Sequence, residues 1–104
     1  MSIEHDLATV ERLLVSDESI PVRLRLQEGL DEDAYTELTG ALERLVDYYA
    51  DRPDVPKRLA FAFVDLGAAF SYPEGIYPDD ELMRIEDAGQ ELSQMGQRLF
   101  GDAD

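Results

Sequence analysis

Residues 79–100, DDELMRIEDAGQELSQMGQRLF, decide the fold because they carry the longest helical pattern of the chain. Apolar side chains recur there every three or four residues, the spacing of one face of an α-helix: Leu82, Ile85, Leu92, Met95 and Leu99. Asp79 is a residue type that caps helix N-termini, and Gly101 is one that ends helices. The pattern predicts a helix over residues 80–100 whose apolar face packs on a core.

Two glycines, Gly89 and Gly96, interrupt this apolar face seven residues apart. Each costs a helix about 1 kcal/mol relative to alanine. Close approach of another backbone would compensate for that cost. The sequence leaves open whether the neighbour belongs to the same chain, as close helix packing within the monomer, or to a second copy, as a dimer seam.

Four other segments carry helical signals. They lie at residues 3–15, 20–28, 32–50 and 56–70. The second of them is ambiguous, because apolar residues and arginines alternate from Val22 to Leu26 as in a half-buried strand. Ser19 as a cap and Pro21 in the first turn favour a short helix instead, and no other segment offers a partner strand. We therefore expect a helix here.

The segment at residues 56–70 is apolar on opposite faces, so we expect it to be the central helix. Its polar edge holds Arg58 and Asp65. Its apolar stretch is too short to span a bilayer. The sequence as a whole predicts an all-α fold, a compact bundle of four to five helices in a single domain over residues 1–104.

The charge of the chain excludes several classes of function. Among 104 residues, 24 are Asp or Glu and 9 are Lys or Arg, so the net charge is 9 − 24 = −15. Nucleic-acid phosphates and anionic membranes repel such a chain, whereas basic surfaces attract it. No signal peptide is recognisable, and we expect a cytoplasmic protein. Because the acid is spread along the chain, it can also be compositional, as in a high-GC or halophilic host.

No set of residues points to catalysis, a metal site or a cofactor. Cysteine is absent, which excludes disulfides, zinc–thiolate sites and a cysteine nucleophile. His5 is the single histidine, and no nearby serine makes a convincing nucleophile pair with it. The acids at 31–33 lack the glycine and the final glutamate of a calcium-binding loop. We expect a protein that is not an enzyme and binds no cofactor.

Two features are candidates for recognition of a partner. The first is an acidic stripe, in which Glu43, Asp47 and Asp51 follow at intervals of four and share a helix face. The second is a loop and the helix start after it, where rigid aromatic anchors stand beside carboxylates that can receive Arg or Lys. Its candidate residues are Tyr72, Glu74, Tyr77, Asp79, Asp80 and Glu81. The alternatives are a solvated helix face for the stripe and, for the loop, tyrosines that close the core.

Small size, strong acidity, a helical build and the absence of a catalytic set together suggest a protein that binds and neutralises or regulates a basic protein partner. An immunity protein or an antitoxin-like inhibitor that covers a toxin or nuclease is one such design. One alternative is a dimerising helical adaptor or regulatory subunit whose acidity is compositional. Another is a phage-type nucleic-acid mimic. The chain can be a monomer or a homodimer under these hypotheses.

Overall fold

The structure, a computed structural model, describes residues 2–64 and 66–101. All the regular secondary structure in these residues is helical. The helices are α1 (Ile3–Leu14), α2 (Ile20–Arg25), α3 (Glu32–Tyr49), α4 (Lys57–Phe61), the single turn α5 (Leu66–Ala69) and α6 (Asp79–Phe100). The prediction of a compact all-α bundle is confirmed. The ambiguous segment after Ser19 is helical, and no strand occurs among the described residues.

Side-chain caps begin three of the helices. Ser2, Ser19 and Asp31 each accept a hydrogen bond from a backbone N–H three residues later. The bond from the Ala34 N–H holds the pKa of Asp31 below its usual value. α6 begins differently: Pro78 is its N-cap residue and accepts from the Leu82 N–H through its carbonyl. The predicted cap, Asp79, is therefore inside the helix.

The prediction of a single helix over residues 56–70 is wrong, because the helix is interrupted between α4 and α5. The N–H of Phe63 donates to Ala60 and that of Val64 to Phe61, so each bond spans three residues instead of four. This tighter winding re-aims the side chains. Phe63 turns partly inward, whereas Phe61 and Val64 stay 64% and 70% exposed. Asp65, assigned above to the polar edge of this segment, lies outside the described residues.

The central position belongs to α3 rather than to the segment predicted for it. Leu38, Ala41, Leu42 and Leu45 of α3 have no exposed surface. α3 packs against α1 on one side and α6 on the other. The α4–α5 segment instead forms an outer layer that covers α1 and α6. None of the described helices is long and apolar enough to cross a membrane.

Ion pairs between helices show their directions. Arg12 of α1 reaches Glu37 of α3 at 2.6 Å, while Arg44, further along α3, reaches Asp6 near the start of α1 at 2.9 Å. α1 and α3 are therefore antiparallel.

α3 and α6 instead run parallel. Arg84 early in α6 lies 2.8 Å from Glu32 at the start of α3, and Arg98 late in α6 lies 3.6 Å from Glu43 further along α3. This parallel arrangement fixes which ends of the two helices lie near each other.

A buried carboxylate lies between α1 and α3. Asp6 is 1% exposed and accepts three hydrogen bonds from Arg44, two from Nε and one from Nη2, at 2.9–3.1 Å. These bonds raise the pKa of Arg44 above its usual value. A buried charge is tolerated where such bonds satisfy it, and removal of its partner leaves it uncompensated.

Both glycines of α6 are close-packing positions within the chain. A Cβ atom on Gly89 would lie 2.6 Å from the Phe70 Cβ, and one on Gly96 would lie 2.9 Å from the Phe63 Cδ2. Two phenylalanines from the α4–α5 segment thus occupy the space that a side chain would need. A dimer seam at the same positions would have to displace them.

Arg44→Ala should lower the free energy of unfolding far more than Arg12→Ala, although both variants remove an arginine that joins α1 to α3. The first leaves the buried Asp6 carboxylate without the three hydrogen bonds that Arg44 donates, and removal of the partner of a buried charge is strongly destabilising. The second removes an exposed pair worth about 0–1 kcal/mol. Urea unfolding followed by circular dichroism measures both changes, and equal losses would contradict the structural role of the Asp6–Arg44 pair.

Alanine substitutions at two helical glycines should have opposite effects on stability. Gly89→Ala should destabilise the protein, since overpacking costs about 1–3 kcal/mol and the gain in helix propensity is only about 1 kcal/mol. Gly40→Ala in α3 is the matched control, because its Cβ would meet only Arg44 Nη1, at an ordinary 3.6 Å. It should raise the melting temperature. A raised melting temperature in both variants would contradict the close packing at Gly89.

Candidate functional site

The acidic stripe predicted on α3 is shorter than the sequence suggested. Glu43 and Asp47 are exposed on the last turns of the helix, but Asp51 lies beyond its end at Tyr49. Glu43 also faces Arg98 of α6, which offsets its charge.

The two predicted acidic sets do not form one surface. Because α3 and α6 are parallel, the stripe lies near the C-terminal end of α6, beside Arg98. Asp79 and Asp80 lie at the opposite end of that helix. The rise of an α-helix places Asp79 about 28 Å from the level of Arg98. A partner that contacted both sets would have to span the length of the bundle.

The loop tyrosines point into the protein. Tyr77 is buried, and its hydroxyl donates to the Leu24 carbonyl at 2.7 Å and accepts from the Gly29 N–H at 3.3 Å. Tyr72 packs edge-on against Tyr77 with ring centroids 5.7 Å apart. Tyr77 therefore fastens the loop to the end of α2. This is the alternative given above, in which the loop tyrosines close the core instead of facing a partner.

The remaining predicted carboxylates divide into exposed and inward-facing ones. Glu74, Asp79 and Asp80 are exposed. Glu81 is half-buried and lies against Gly29, where an added Cβ would come within 2.8 Å of a Glu81 carboxylate oxygen. Gly29 also has a φ of +86°, in the left-handed region that favours glycine. Glu81 thus belongs to the packing between α6 and the connection that follows α2.

The outer face of the first half of α6 carries a cluster that the sequence analysis did not identify. Met83 is 64% exposed and lies opposite the buried face of the helix. Asp79 and Glu86 lie one turn to either side of it, and Asp80 and Asp87 flank it in the same way. We call these five residues the Met83 face. A helical wheel of residues 79–87 shows this face, because the four acids all lie within about one turn of Met83.

The acids of the Met83 face end abruptly along the helix. Beyond Asp87 the exposed positions in line with Met83 are uncharged: Gln90, Gln94 and Gln97. The exposed Glu91 and Arg98 lie at the edge of this side, where they contact Tyr35 and Glu43 of α3. The helix dipole favours acids only within the first turn, so it accounts for Asp79 and Asp80 but not for Glu86 and Asp87. Acidity is therefore concentrated on one half of the helix surface.

Most arginines are engaged in ion pairs between helices, and these include Arg84, the residue after Met83 on α6. Five such pairs are Arg12–Glu37, Arg44–Asp6, Arg58–Glu4, Arg84–Glu32 and Arg98–Glu43. Within the described residues, no lysine or arginine lies within 4 Å of a carboxylate of the Met83 face. Those four charges remain available to a partner.

A polar network beside the Met83 face stiffens the contact of α6 with α3. The Tyr35 hydroxyl donates to the Glu91 carboxylate, and Arg84 lies over the Tyr35 ring, 4.8 Å from its centroid. Burial, and then the bond to Glu91, raise the pKa of Tyr35 above its usual range. The hydroxyl therefore keeps its proton and continues to donate at neutral pH.

The described residues contain no cluster of three or more histidine, cysteine or carboxylate side chains arranged to hold a metal ion. The comparisons do not supply a family for the chain. Neither the protein-family models, nor the curated proteins, nor the solved structures include a match to it.

Tyr77→Phe should lower the free energy of unfolding by about 1–3 kcal/mol, because it removes two hydrogen bonds of about 0.5–1.5 kcal/mol each: the one donated to the Leu24 carbonyl and the one accepted from the Gly29 N–H. Tyr48→Phe is the control, since Tyr48 is 40% exposed and a surface change of this kind stays within about 0.5 kcal/mol. Urea unfolding measures both. Equal stability of the two variants would contradict the fastening role of Tyr77.

Proposed function

We propose that the protein binds a basic protein partner through the Met83 face and neutralises or regulates it without catalysis. The observation that carries this proposal is an exposed methionine at the centre of four carboxylates that form no ion pair with a lysine or arginine among the described residues. An immunity protein or an antitoxin-like inhibitor would act in this way.

The chemistry of the face suits lysine and arginine side chains. Their charged groups would pair with the four carboxylates, and charge-assisted hydrogen bonds are stronger than neutral ones. Their aliphatic stems would cover Met83, because long cationic side chains bury their methylenes on apolar surface. Methionine is enriched in the interiors of protein interfaces, whereas lone exposed carboxylates are not.

The charge of the whole chain would assist this binding at a distance. A net charge of −15 attracts a basic protein from any direction and raises the rate of encounter. The face itself would then select the orientation, since the exposed positions of α6 in line with Met83 change from carboxylates to amides beyond Asp87. Partner binding would therefore be sensitive to salt, because exposed charges are screened over about 8 Å at physiological ionic strength.

The test is capture of the partner by two variants of equal net charge. The face variant carries Asp79→Asn, Asp80→Asn, Glu86→Gln and Asp87→Asn. The control variant carries Asp17→Asn, Glu18→Gln, Glu28→Gln and Asp54→Asn, which are exposed positions outside the Met83 face and the acidic stripe. The protein that the native chain retains from a host lysate at low salt is purified, and its Kd for each variant is measured.

The face variant should bind that partner roughly tenfold to several hundredfold more weakly than the native chain, since four exposed ion pairs contribute about 1–4 kcal/mol in sum. The control variant should lose only the weaker, long-range part of the attraction. Equal weakening by the two variants would show that charge acts without a site. The proposal would then be wrong for this surface.

A further inference from the structure

A cleft of about 550 Å³ opens on a part of the surface that α6 does not line. Its walls are mostly apolar and come from the end of α1, from α2 and from the chain between α4 and Tyr72. Among its apolar lining residues are Val15, Pro21, Phe61, Val64 and Ala68. We call it the Arg25 cleft, because Arg25 lines it as well. Its volume is within the range of pockets that hold small organic ligands.

The apolar side chains of the cleft are unusually exposed. Val15, Phe61 and Val64 are 41%, 64% and 70% exposed, and all three line it. Contiguous exposed apolar surface on a small protein marks an interaction site more often than single exposed residues do. The interruption between α4 and α5 creates this surface, since a continuous helix would place these side chains differently.

Two polar groups give the cleft a chemical preference. The Tyr72 hydroxyl is buried and has no hydrogen-bond partner among the described residues. Burial raises the pKa of Tyr72, so the hydroxyl is protonated at neutral pH and has a hydrogen to donate. The Tyr72 oxygen has almost no exposed surface, so a ligand would accept its hydrogen bond after the side chain turns toward the cleft, and that bond would satisfy the unpaired donor.

Arg25 is the second polar group. Within the described residues it makes no ion pair, although Arg23, two positions earlier on the same helix, pairs with Asp31 at 3.1 Å. Arg52 and Lys57 also form no ion pair within the part of the chain that the structure describes, but of these three cations only Arg25 lines the cleft. A guanidinium and a hydroxyl donor beside apolar walls together suit a carboxylate that is attached to an apolar body.

We propose that the Arg25 cleft binds a small amphiphilic carboxylate of the fatty-acid type, with its head group at Arg25 and Tyr72 and its chain between Val15, Phe61 and Val64. The carboxylate would accept hydrogen bonds from the guanidinium and from the phenol. The aliphatic chain would cover the exposed apolar side chains. This site is separate from the Met83 face and does not depend on the basic partner.

The first test is an NMR titration of the intact protein with hexanoate, octanoate and decanoate, each kept below its aggregation concentration. Amide signals around the cleft should shift and saturate, and each added methylene should lower Kd about fourfold until the cleft is full. Decanol is the uncharged probe and should bind more weakly than decanoate. Absence of saturation with every probe, or shifts centred on α6, would overturn the proposal.

The second test uses matched variants with decanoate and decanol. Arg25→Gln should weaken decanoate binding about tenfold and leave decanol binding unchanged, because a hydrogen bond to a charged group is lost. Arg23→Gln is the control from the same helix and should change neither. Tyr72→Phe should weaken decanoate several-fold, with Tyr48→Phe as its control.

Ala68→Trp should abolish binding of both probes, because the indole would fill the cleft from an exposed position. Circular dichroism verifies that each variant remains folded. If Ala68→Trp does not fold, Arg25→Gln still decides the test, because Arg25 is exposed and its replacement should not unfold the protein. Equal loss of decanoate and decanol in Arg25→Gln would contradict the carboxylate preference. Retained binding in a folded Ala68→Trp would place the ligand elsewhere.

Discussion

The close contact of Phe70 with Gly89 is the constraint on which the rest of this structure depends. The absence of a side chain at Gly89 lets the chain at the end of α5 approach α6 to a distance that any Cβ would prevent. This contact fixes the point from which the loop at residues 71–78 leaves the bundle. Tyr77 then fastens the same loop to Leu24 and Gly29. The buried side of α6 is thereby covered within the chain, and its opposite side stays exposed.

The charges of the molecule divide according to the same geometry. Arginines pair with acids where helices meet, and the Asp6–Arg44 pair even lies in the interior. The surplus of carboxylates is left on outer surfaces, where repulsion is weak. On α6 that surplus surrounds an exposed methionine and is followed by glutamines. A net charge alone indicates attraction to basic surfaces, whereas this local pattern indicates a site and an orientation.

Much of the fold could be predicted from the sequence because apolar periodicity and capping residues act locally. Ser19 caps the short helix expected of it, Ser2 and Asp31 cap their helices by the same local chemistry, and the end of α6 before Gly101 follows from similar rules. The interruption between α4 and α5 could not be predicted, since no Gly–Pro pair or polar turn marks it. An apolar run is compatible both with a continuous α-helix and with the tighter turns that the structure shows. The interruption becomes favourable only when Phe63 and Phe70 pack on Gly96 and Gly89 of α6, which are distant in sequence.

The candidate sites were harder to predict for a related reason. Tyr72 and Tyr77 have the same residue type and similar neighbours, yet Tyr77 is buried with both hydrogen bonds satisfied and Tyr72 has an unsatisfied hydroxyl at a cleft. The partner of each hydroxyl is set by contacts distant in sequence. The Met83 face is different: the helical spacing of residues 79–87 already contains it. The acids of the first turn by themselves are typical of a helix start. They indicate a surface only when Met83 and the acids of the next turn are placed on the same helix face.

The most direct test of this account is the nuclear Overhauser effect between the α-protons of Gly89 and the β-protons of Phe70 in isotopically labelled protein. The account predicts a strong effect, because the Phe70 Cβ lies where a Gly89 side chain would begin. A matching effect should join Gly96 to the Phe63 ring. Their absence, with α6 still helical, would contradict the packing that positions the loop, the Met83 face and the Arg25 cleft.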